Sequence, residues 1–410
     1  MIKFRDYQKE IIDKSLSILL KHRFVYLAME VRTGKTFTSL GIAQALFLKN
    51  VLFITKKKAI GSIEKDYQDL APKFKLIVIN YESLHKAPSL KWDMVICDES
   101  HSLGAFPKPN GRAKSVKNLI QEHNPYVILL SGTPTPESYS QLYHQVYGIQ
   151  SNPFRSYKNF YRFADKHVRV VEKKINGIHI RDYSRGQESI LDELKPYTLT
   201  FSQKQAGFKT VINEKILSVP MQESTYKLAS KLKKDLVVQG EEEVILADTP
   251  VKLMMKLHQI YSGSVKFESG NSMMLDTNKG VFIKKYFDGK KIGIFYKFKE
   301  ELNILKEVFG EKLTTELSVF KDTDKNIALQ ILSGREGISL KQADCLVYFN
   351  IDFSATSYWQ SRDRMTTKNR TNNKVYWVFA EKGIEYKIYK AVVKKKDYTV
   401  KHFKRDLLTL

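Results

Sequence analysis

Cysteine is nearly absent: 410 residues contain two, Cys97 and Cys345. Each lies inside an apolar run that reads as a buried strand, far from the other in sequence, which excludes a disulfide framework and a zinc module. Glycine and proline are sparse at 20 and 11 residues, so collagen-like and low-complexity chains are excluded as well. No uninterrupted apolar stretch reaches the roughly 18 residues of a membrane span. The N-terminal MIKFRDYQKE carries charges where a secretory signal has its apolar centre. A cytoplasmic protein of a reducing compartment, with no membrane partner, is the expectation. Acidic residues are the last deficit: 44 Asp and Glu against 68 Lys and Arg leave a formal charge of +24. That excess predicts a polyanionic partner, nucleic acid first, because each Lys or Arg placed on a phosphate releases a condensed counterion. A single lysine run, at 56–58 or 394–396, reads equally well as solvated surface.

At roughly 100 to 200 residues per domain, the length calls for two or three cores, each large enough to be held by burial alone. Tyr7, Ile11, Leu16, Leu19 and Leu20 share one helical face, and an apolar run at 24–28 follows. Further apolar runs at 51–54, 76–79, 94–97 and 126–130 are separated by stretches of helical length and pattern. Short buried strands alternating with helices predict an α/β fold with a doubly wound parallel sheet covered on both faces. From about 137 the pattern turns aromatic and charged, with a strand at 168–171 and a loop around Asn176-Gly177, which predicts a mostly helical insert. Runs at 292–295, 329–332, 345–349 and 375–379 then predict a second α/β lobe. The expected domains are a nucleotide-binding lobe at 1–150, a helical insert or linker at 151–210 and a second lobe at 211–410. Residues 239–243 read as a polar loop, followed by a helical apolar face on Leu253, Met254, Leu257 and Ile260.

Three motifs sit at the carboxyl ends of separate predicted strands, where doubly wound sheets bind ligands. Ala28-Met-Glu-Val-Arg-Thr-Gly-Lys-Thr36 joins a strand to a helix as a phosphate-binding loop does. There Gly34 lets the backbone approach a phosphate, Lys35 supplies a point charge, and the Thr36 hydroxyl can ligate Mg²⁺. Met29 stands where the full loop pattern has glycine. Asp98-Glu-Ser-His101 offers adjacent carboxylates, Asp98 for the Mg²⁺ sphere and Glu99 to orient an attacking water. Ser131-Gly-Thr-Pro-Thr-Pro136 supplies hydroxyls, Ser131 and Thr133, that can bond the acidic loop. Each alone reads also as a helix start, a solvated turn or a rigid proline turn; their shared position on one sheet edge favours function.

Taken together, these residues resemble the superfamily 2 helicases and translocases, and within them the Swi/Snf-type DNA-dependent ATPases and their small phage relatives. Phe4-Arg-Asp-Tyr-Gln8 is similar to the adenine-reading segment of that family, and the three motifs to its phosphate loop, DEAH-like box and third motif. Lys291-Ile-Gly-Ile-Phe-Tyr296, Ser333-Gly-Arg-Glu-Gly-Ile-Ser-Leu340 and Tyr358-Trp-Gln-Ser-Arg-Asp-Arg364 resemble motifs IV, V and VI. The helix through 253–260 and Gly383-Ile-Glu385 extend the likeness across nearly the whole chain.

The resemblance implies two tandem RecA-like lobes, ATP and Mg²⁺ as cofactors held in the cleft between lobes, and DNA rather than RNA as partner. It implies nucleotide contacts from Arg5, Gln8, Arg32, Thr33, Gly34, Lys35, Thr36, Gly337, Arg362 and Arg364, with Gln8 on the base and Arg364 stabilising charge on the transferring phosphoryl group. By the same likeness His101, Ser131, Thr133 and Gln360 couple ATP to DNA, and Thr55, Lys56, Asn80, Tyr81 and Ser333 meet DNA phosphates. Thr367 stands where the family repeats an arginine, with Arg362 or Arg370 as substitutes or slower hydrolysis as the consequence. The expectation is a monomeric ATP-dependent DNA helicase or translocase, in the host cytoplasm if phage-encoded. Pure duplex translocation without unwinding, and an ATP-gated nucleic-acid clamp with little turnover, stay open beside it.

Overall fold

The computed structural model describes residues 3–136, 138–175, 178–334, 338–367 and 369–394. The chain divides into two compact units, Met1–Phe208 and Lys209–Leu410. The first unit runs α1 (Asp6–His22), β1 (Phe24–Met29), α2 (Lys35–Ala45), β2 (Asn50–Thr55), α3 (Ile60–Leu70), β3 (Lys75–Asn80), β4 (Met94–Cys97), α4 (Gly111–His123), β5 (Tyr126–Leu130), α5 (Leu142–Val146), α6 (Phe160–His167), β6 (Val171–Ile175), β7 (Ile178–Asp182), α7 (Ser189–Leu194) and β8 (Thr198–Phe201). Its main sheet has the order β3-β2-β4-β5-β1-β8, with every pair parallel.

Both faces of this sheet are covered, which is why its strands read as unbroken apolar runs rather than as alternations. In β1, Phe24 and Tyr26 enter one core with Val127, Leu129 and Phe163. Val25, Leu27 and Met29 enter the opposite core with Leu40 and Ile42 of α2. All strand C-termini therefore open on one edge, where the turns after β1, β4 and β5 carry the three motifs.

The 151–210 segment requires a correction. It carries α6 and α7, but also an antiparallel β6–β7 hairpin and β8, which pairs with β1 in the main sheet. The aromatic residues at 154–163 are core packing: Phe154, Phe160 and Phe163 are buried around Tyr143. Val168 forms only an isolated bridge to Gly186, so the strand expected at 168–171 begins at Val171. The loop expected at Asn176-Gly177 lies outside the described residues.

The second unit runs β9 (Val211–Val219), α8 (Glu223–Asp235), β10 (Val237–Gln239), β11 (Val244–Leu246), α9 (Pro250–Ile260), β12 (Ser264–Lys266), β13 (Ser272–Met274), α10 (Asn278–Tyr286), β14 (Ile292–Tyr296), α11 (Lys299–Phe309), β15 (Leu313–Thr314), α12 (Leu317–Asp322), β16 (Asn326–Gln330), α13 (Ile331–Gly334), β17 (Cys345–Tyr348), α14 (Ala355–Ser361), β18 (Asn372–Ala380) and α15 (Glu385–Val392). Its parallel sheet follows β15-β16-β14-β17-β18-β9. The strand expected at 329–332 ends at Gln330, where the chain turns into α13 with Ile331 buried and Leu332 exposed. Both units are thus doubly wound, as the alternating pattern predicts. Among the described residues no helix is long and apolar enough to cross a membrane.

Candidate nucleotide site and its surroundings

The phosphate-loop segment leaves β1 at Met29, whose side chain is fully buried in the core and whose backbone pairs in register with Phe201. Residue 29 is the last strand residue here, so a side chain fits where the full pattern has glycine. Gly34 caps α2 with φ +83°. A Cβ there would lie 2.5 Å from Gln8 Nε2, so only glycine fits. Gln8 is buried; its Nε2 donates to the Gly34 carbonyl at 3.3 Å and to Thr38 Oγ1 at 3.4 Å, and its Oε1 accepts the Arg5 amide at 3.0 Å. The Tyr7 hydroxyl donates to the Thr33 carbonyl at 3.1 Å, accepts from exposed Arg5 at 2.8 Å, and the ring stacks on Phe201. The 4–8 segment therefore packs directly on the loop. Thr33 is buried with its hydroxyl on the Glu30 carbonyl, Arg32 takes φ +63°, and Lys35 Nζ donates to the Met29 carbonyl at 3.1 Å.

One turn away, the acidic motif leaves β4. Asp98 Oδ2 accepts the Thr55 hydroxyl at 2.9 Å, and the Tyr81 hydroxyl donates to the Asp98 carbonyl at 2.6 Å. Burial, then the charge of Glu99, push the Asp98 carboxyl up to about 6 against the pull of Lys35 and Thr55. Burial would also raise Glu99, but His101 beside it, with Lys35 and Lys56, holds it well below the usual carboxylate range. His101 Nδ1 lies 3.1 Å from Ser131 Oγ and 3.3 Å from Glu99 Oε2. The Ser131 hydroxyl also accepts the Thr133 amide at 3.1 Å, joining the acidic turn to the loop after β5. Glu99 Oε2 is shielded from solvent with the His101 imidazole beside it.

The donors fit ATP and Mg²⁺. A helix N-terminus of an 11-residue helix, Gly34 and Lys35 suit phosphates, and the Thr36 hydroxyl with the Asp98 carboxylate are hard oxygen donors suited to Mg²⁺. Among the described residues no group of three or more His, Cys, Asp or Glu could hold a metal. A divalent ion here would therefore draw its remaining ligands from nucleotide phosphates and water.

Two of the expected DNA contacts are corrected. Thr55 is fully buried with its hydroxyl on Asp98, and Tyr81 is buried with its hydroxyl on the Asp98 carbonyl; both brace the acidic turn instead of facing a phosphate. Lys56 is half-buried within electrostatic range of Glu99, and Asn80 donates to Glu82 at 3.1 Å. Ser333 falls within α13. Gly337 lies outside the described residues.

In the second unit, Arg364 is buried, with Nε donating to the Gln360 carbonyl at 2.9 Å and Nη1 to the Ile338 carbonyl at 3.4 Å. The segments resembling motifs V and VI therefore meet. Gln360 is buried with Oε1 unpartnered. Arg362 is corrected: Nη1 pairs with Glu214 at 2.6 Å and the guanidinium lies 3.9 Å over the Trp359 ring, committing it within its own unit. Arg370 likewise donates to the carbonyls of Ala343 at 2.8 Å and Asp344 at 2.9 Å. Both arginines are thus bonded within the second unit.

Sequence reasoning missed two braces. Glu30 Oε2 accepts the Gln203 amide at 2.7 Å and Gln203 Nε2 donates to the Val31 carbonyl at 3.0 Å, clamping the phosphate loop from beyond β8. Glu214 of β9 collects Arg362, Tyr358 at 2.8 Å, Trp377 at 2.8 Å and Tyr389 at 3.2 Å. Both span far more than a hundred residues, and the one local hint was a carboxylate within an apolar stretch.

Residues 1–137 match the family model described as the res subunit of type III restriction enzymes. Two curated relatives from Arabidopsis thaliana cover most of the chain. The CHD3-type chromatin-remodeling factor CHR7 is 22% identical over 88% of it, and the CHD3-type chromatin-remodeling factor PICKLE 20% over 83%. The chain spans 34% and 26% of their lengths. Among solved structures, the SWI2/SNF2 ATPase core of Sulfolobus solfataricus matches at TM-score 0.44 and 17% identity, covering 96% of this chain and 89% of that one. The same core in complex with dsDNA matches at 0.43 and 15%, covering 96% and 91%. With motifs in order along both units, the family model over residues 1–137 and remodelling factors matching most of the chain, the protein is similar to the superfamily 2 ATPases of the Swi/Snf type.

Proposed function

We propose that the protein hydrolyses ATP with Mg²⁺ under stimulation by DNA and converts turnover into movement along the duplex. The carrying observation is the placing of Lys35, Asp98 and Glu99 within electrostatic range of one another at the carboxyl edge of one sheet, with Glu99 held ionised beside His101. Lys35 would meet the β/γ-phosphates of bound ATP, Thr36 and Asp98 would hold the Mg²⁺ that offsets phosphate charge, and Glu99 would orient water for attack. Gln8, fixed on the loop that it would serve, favours adenine. His101 and Ser131 link the acidic turn to the loop after β5, so a change at one is felt by the other. The charge of +24 supports a polyanionic track, and DNA is preferred because the relatives are named as chromatin-remodelling factors. In its finer form the motor displaces strands at forks or recombination branches.

The test is ATP hydrolysis with single-stranded, duplex and branched DNA, beside Lys35→Ala and Glu99→Gln. Stimulation abolished by both substitutions is expected; hydrolysis indifferent to DNA would sink the proposal. An ATP-gated clamp with little turnover remains the second reading, favoured by one observation: Arg362 and Arg370 are both committed elsewhere, so Thr367 lacks a substitute arginine. ATP-sensitive DNA binding without stimulated hydrolysis would select it.

A further inference from the structure

The acidic turn and the loop after β5 are joined a second time, beside the link between His101 and Ser131. Tyr26, in the middle of β1, is 2% exposed. Its hydroxyl donates to Gln145 Oε1 at 2.7 Å and, with its proton so used, accepts from Ser100 Oγ at 2.9 Å. Gln145 of α5 is 4% exposed and its Nε2 donates to the Pro134 carbonyl at 2.9 Å. A continuous buried chain therefore runs from Ser100 through Tyr26 and Gln145 to Pro134. With His101 and Ser131 it closes a ring around the ends of β1, β4 and β5. The ring has no slack on its α5 side, because a Cβ on Gly104 would lie 2.8 Å from Gln141 Cβ and 3.0 Å from Gln145 Nε2.

We propose that Tyr26 and Gln145 are positioning residues that make the acidic turn and the 131–136 loop move as one body, transmitting DNA engagement to the hydrolytic carboxylates. The physical reason is the absence of water at these atoms. A buried donor or acceptor that loses its partner bears the full desolvation cost, so the links favour concerted displacement over independent fluctuation. Burial also pushes the Tyr26 phenol well above its ordinary range, so the hydroxyl keeps its proton at working pH. Tyr26 lies three residues before Met29 on the strand that feeds the phosphate loop. A tyrosine that merely satisfies its hydroxyl in a core would need one partner, and this one spans two functional turns.

The kinetic arm of the test rests on the proposed DNA-stimulated hydrolysis, whereas the exchange arm does not. Tyr26→Phe and Gln145→Met are compared with the parent protein by amide hydrogen exchange, melting temperature and ATP turnover with and without duplex DNA. Each variant should accelerate exchange by about tenfold at the amides of both 99–102 and 132–135. DNA-stimulated kcat should fall about fivefold or more, with KM for ATP within about twofold. The double variant should add little to either single one, as expected for one chain of bonds. A lower melting temperature with unchanged exchange in both turns and an unchanged stimulation ratio would reduce Tyr26 to core packing and overturn the proposal. Faster exchange in only one of the two turns would do so as well. If the parent protein shows no DNA-stimulated turnover, the proposed function fails, and the exchange result alone decides whether the turns are joined.

Discussion

Thr55→Val separates two roles for the end of β2. The side chain is fully buried, so an isosteric valine adds no strain and leaves the DNA-facing surface as it was. It removes one 2.9 Å hydrogen bond to the Asp98 carboxylate, and no solvent reaches that position to replace it. A hydrogen bond to a charged acceptor is worth about 1.5–3 kcal/mol. If that support is needed only when Asp98 is ionised and serving Mg²⁺, turnover should fall by roughly 10- to 150-fold, since each 1.4 kcal/mol is a factor of ten. Duplex DNA affinity, measured by anisotropy without nucleotide, should stay within about twofold. Thr55→Ser, which restores the hydroxyl, should recover most of the lost rate. Tenfold weaker DNA binding with normal turnover at saturating DNA would refute the reasoning and return Thr55 to the phosphate contacts that the sequence suggests.

Three further outcomes test packing and charge. Gly34→Ala should lower stability by about 1–3 kcal/mol, because alanine at positive φ is strained and its Cβ evicts Gln8; a melting curve that does not move refutes the tight approach. Lys279 and Glu385 form a fully buried pair at 2.7 Å, so Lys279→Met should cost about 3–5 kcal/mol, and adding Glu385→Leu should recover much of it in denaturant titrations. His258 is buried, bonded through Nε2 to Asn350, with Lys297, Lys279 and, through Asn350, Glu301 around it. Burial, followed by the charge of Lys297, lowers its pKa well below 6.5. The unfolded chain therefore takes up a proton that the folded chain refuses as pH falls through 6.5, and stability declines on acidification. His258→Gln should flatten that decline in melting measurements between pH 7.5 and 5.5.

The central strands were legible because a parallel sheet buried on both faces turns each strand into a short apolar run. β4 and β5 begin and end where their runs do. Two strands at the sheet margins were not: β8 and β9 mix Thr, Asn, Glu and Lys with apolar residues, whereas marginal β3 keeps an apolar run. The turns that carry the candidate nucleotide residues were legible because they follow those runs. What stayed hidden depends on sheet order. Thr55 meets Asp98 because β2 and β4 are neighbours with Ile54 opposite Cys97, and nothing near residue 55 encodes that adjacency. Arg362 meets Glu214, 148 residues earlier, for the same reason. Local pattern locates a side chain on an element; only the pairing of distant elements decides which way it is used.

The pairing of β9 with β18 also sets a timetable. These two strands lie side by side over nine residues, from Asn372 opposite Val211 to Ala380 opposite Val219. During synthesis at about 5–20 residues per second, β9 leaves the ribosome on the order of ten seconds before its partner exists. For that interval it has no strand to pair with, and the consecutive polar residues Asn213, Glu214 and Lys215 interrupt its apolar pattern. When the later elements arrive, the Glu214 carboxylate becomes the acceptor for Tyr358, Arg362, Trp377 and Tyr389. One glutamate on the first strand of the second unit thus waits for the last elements of that unit and latches them in place.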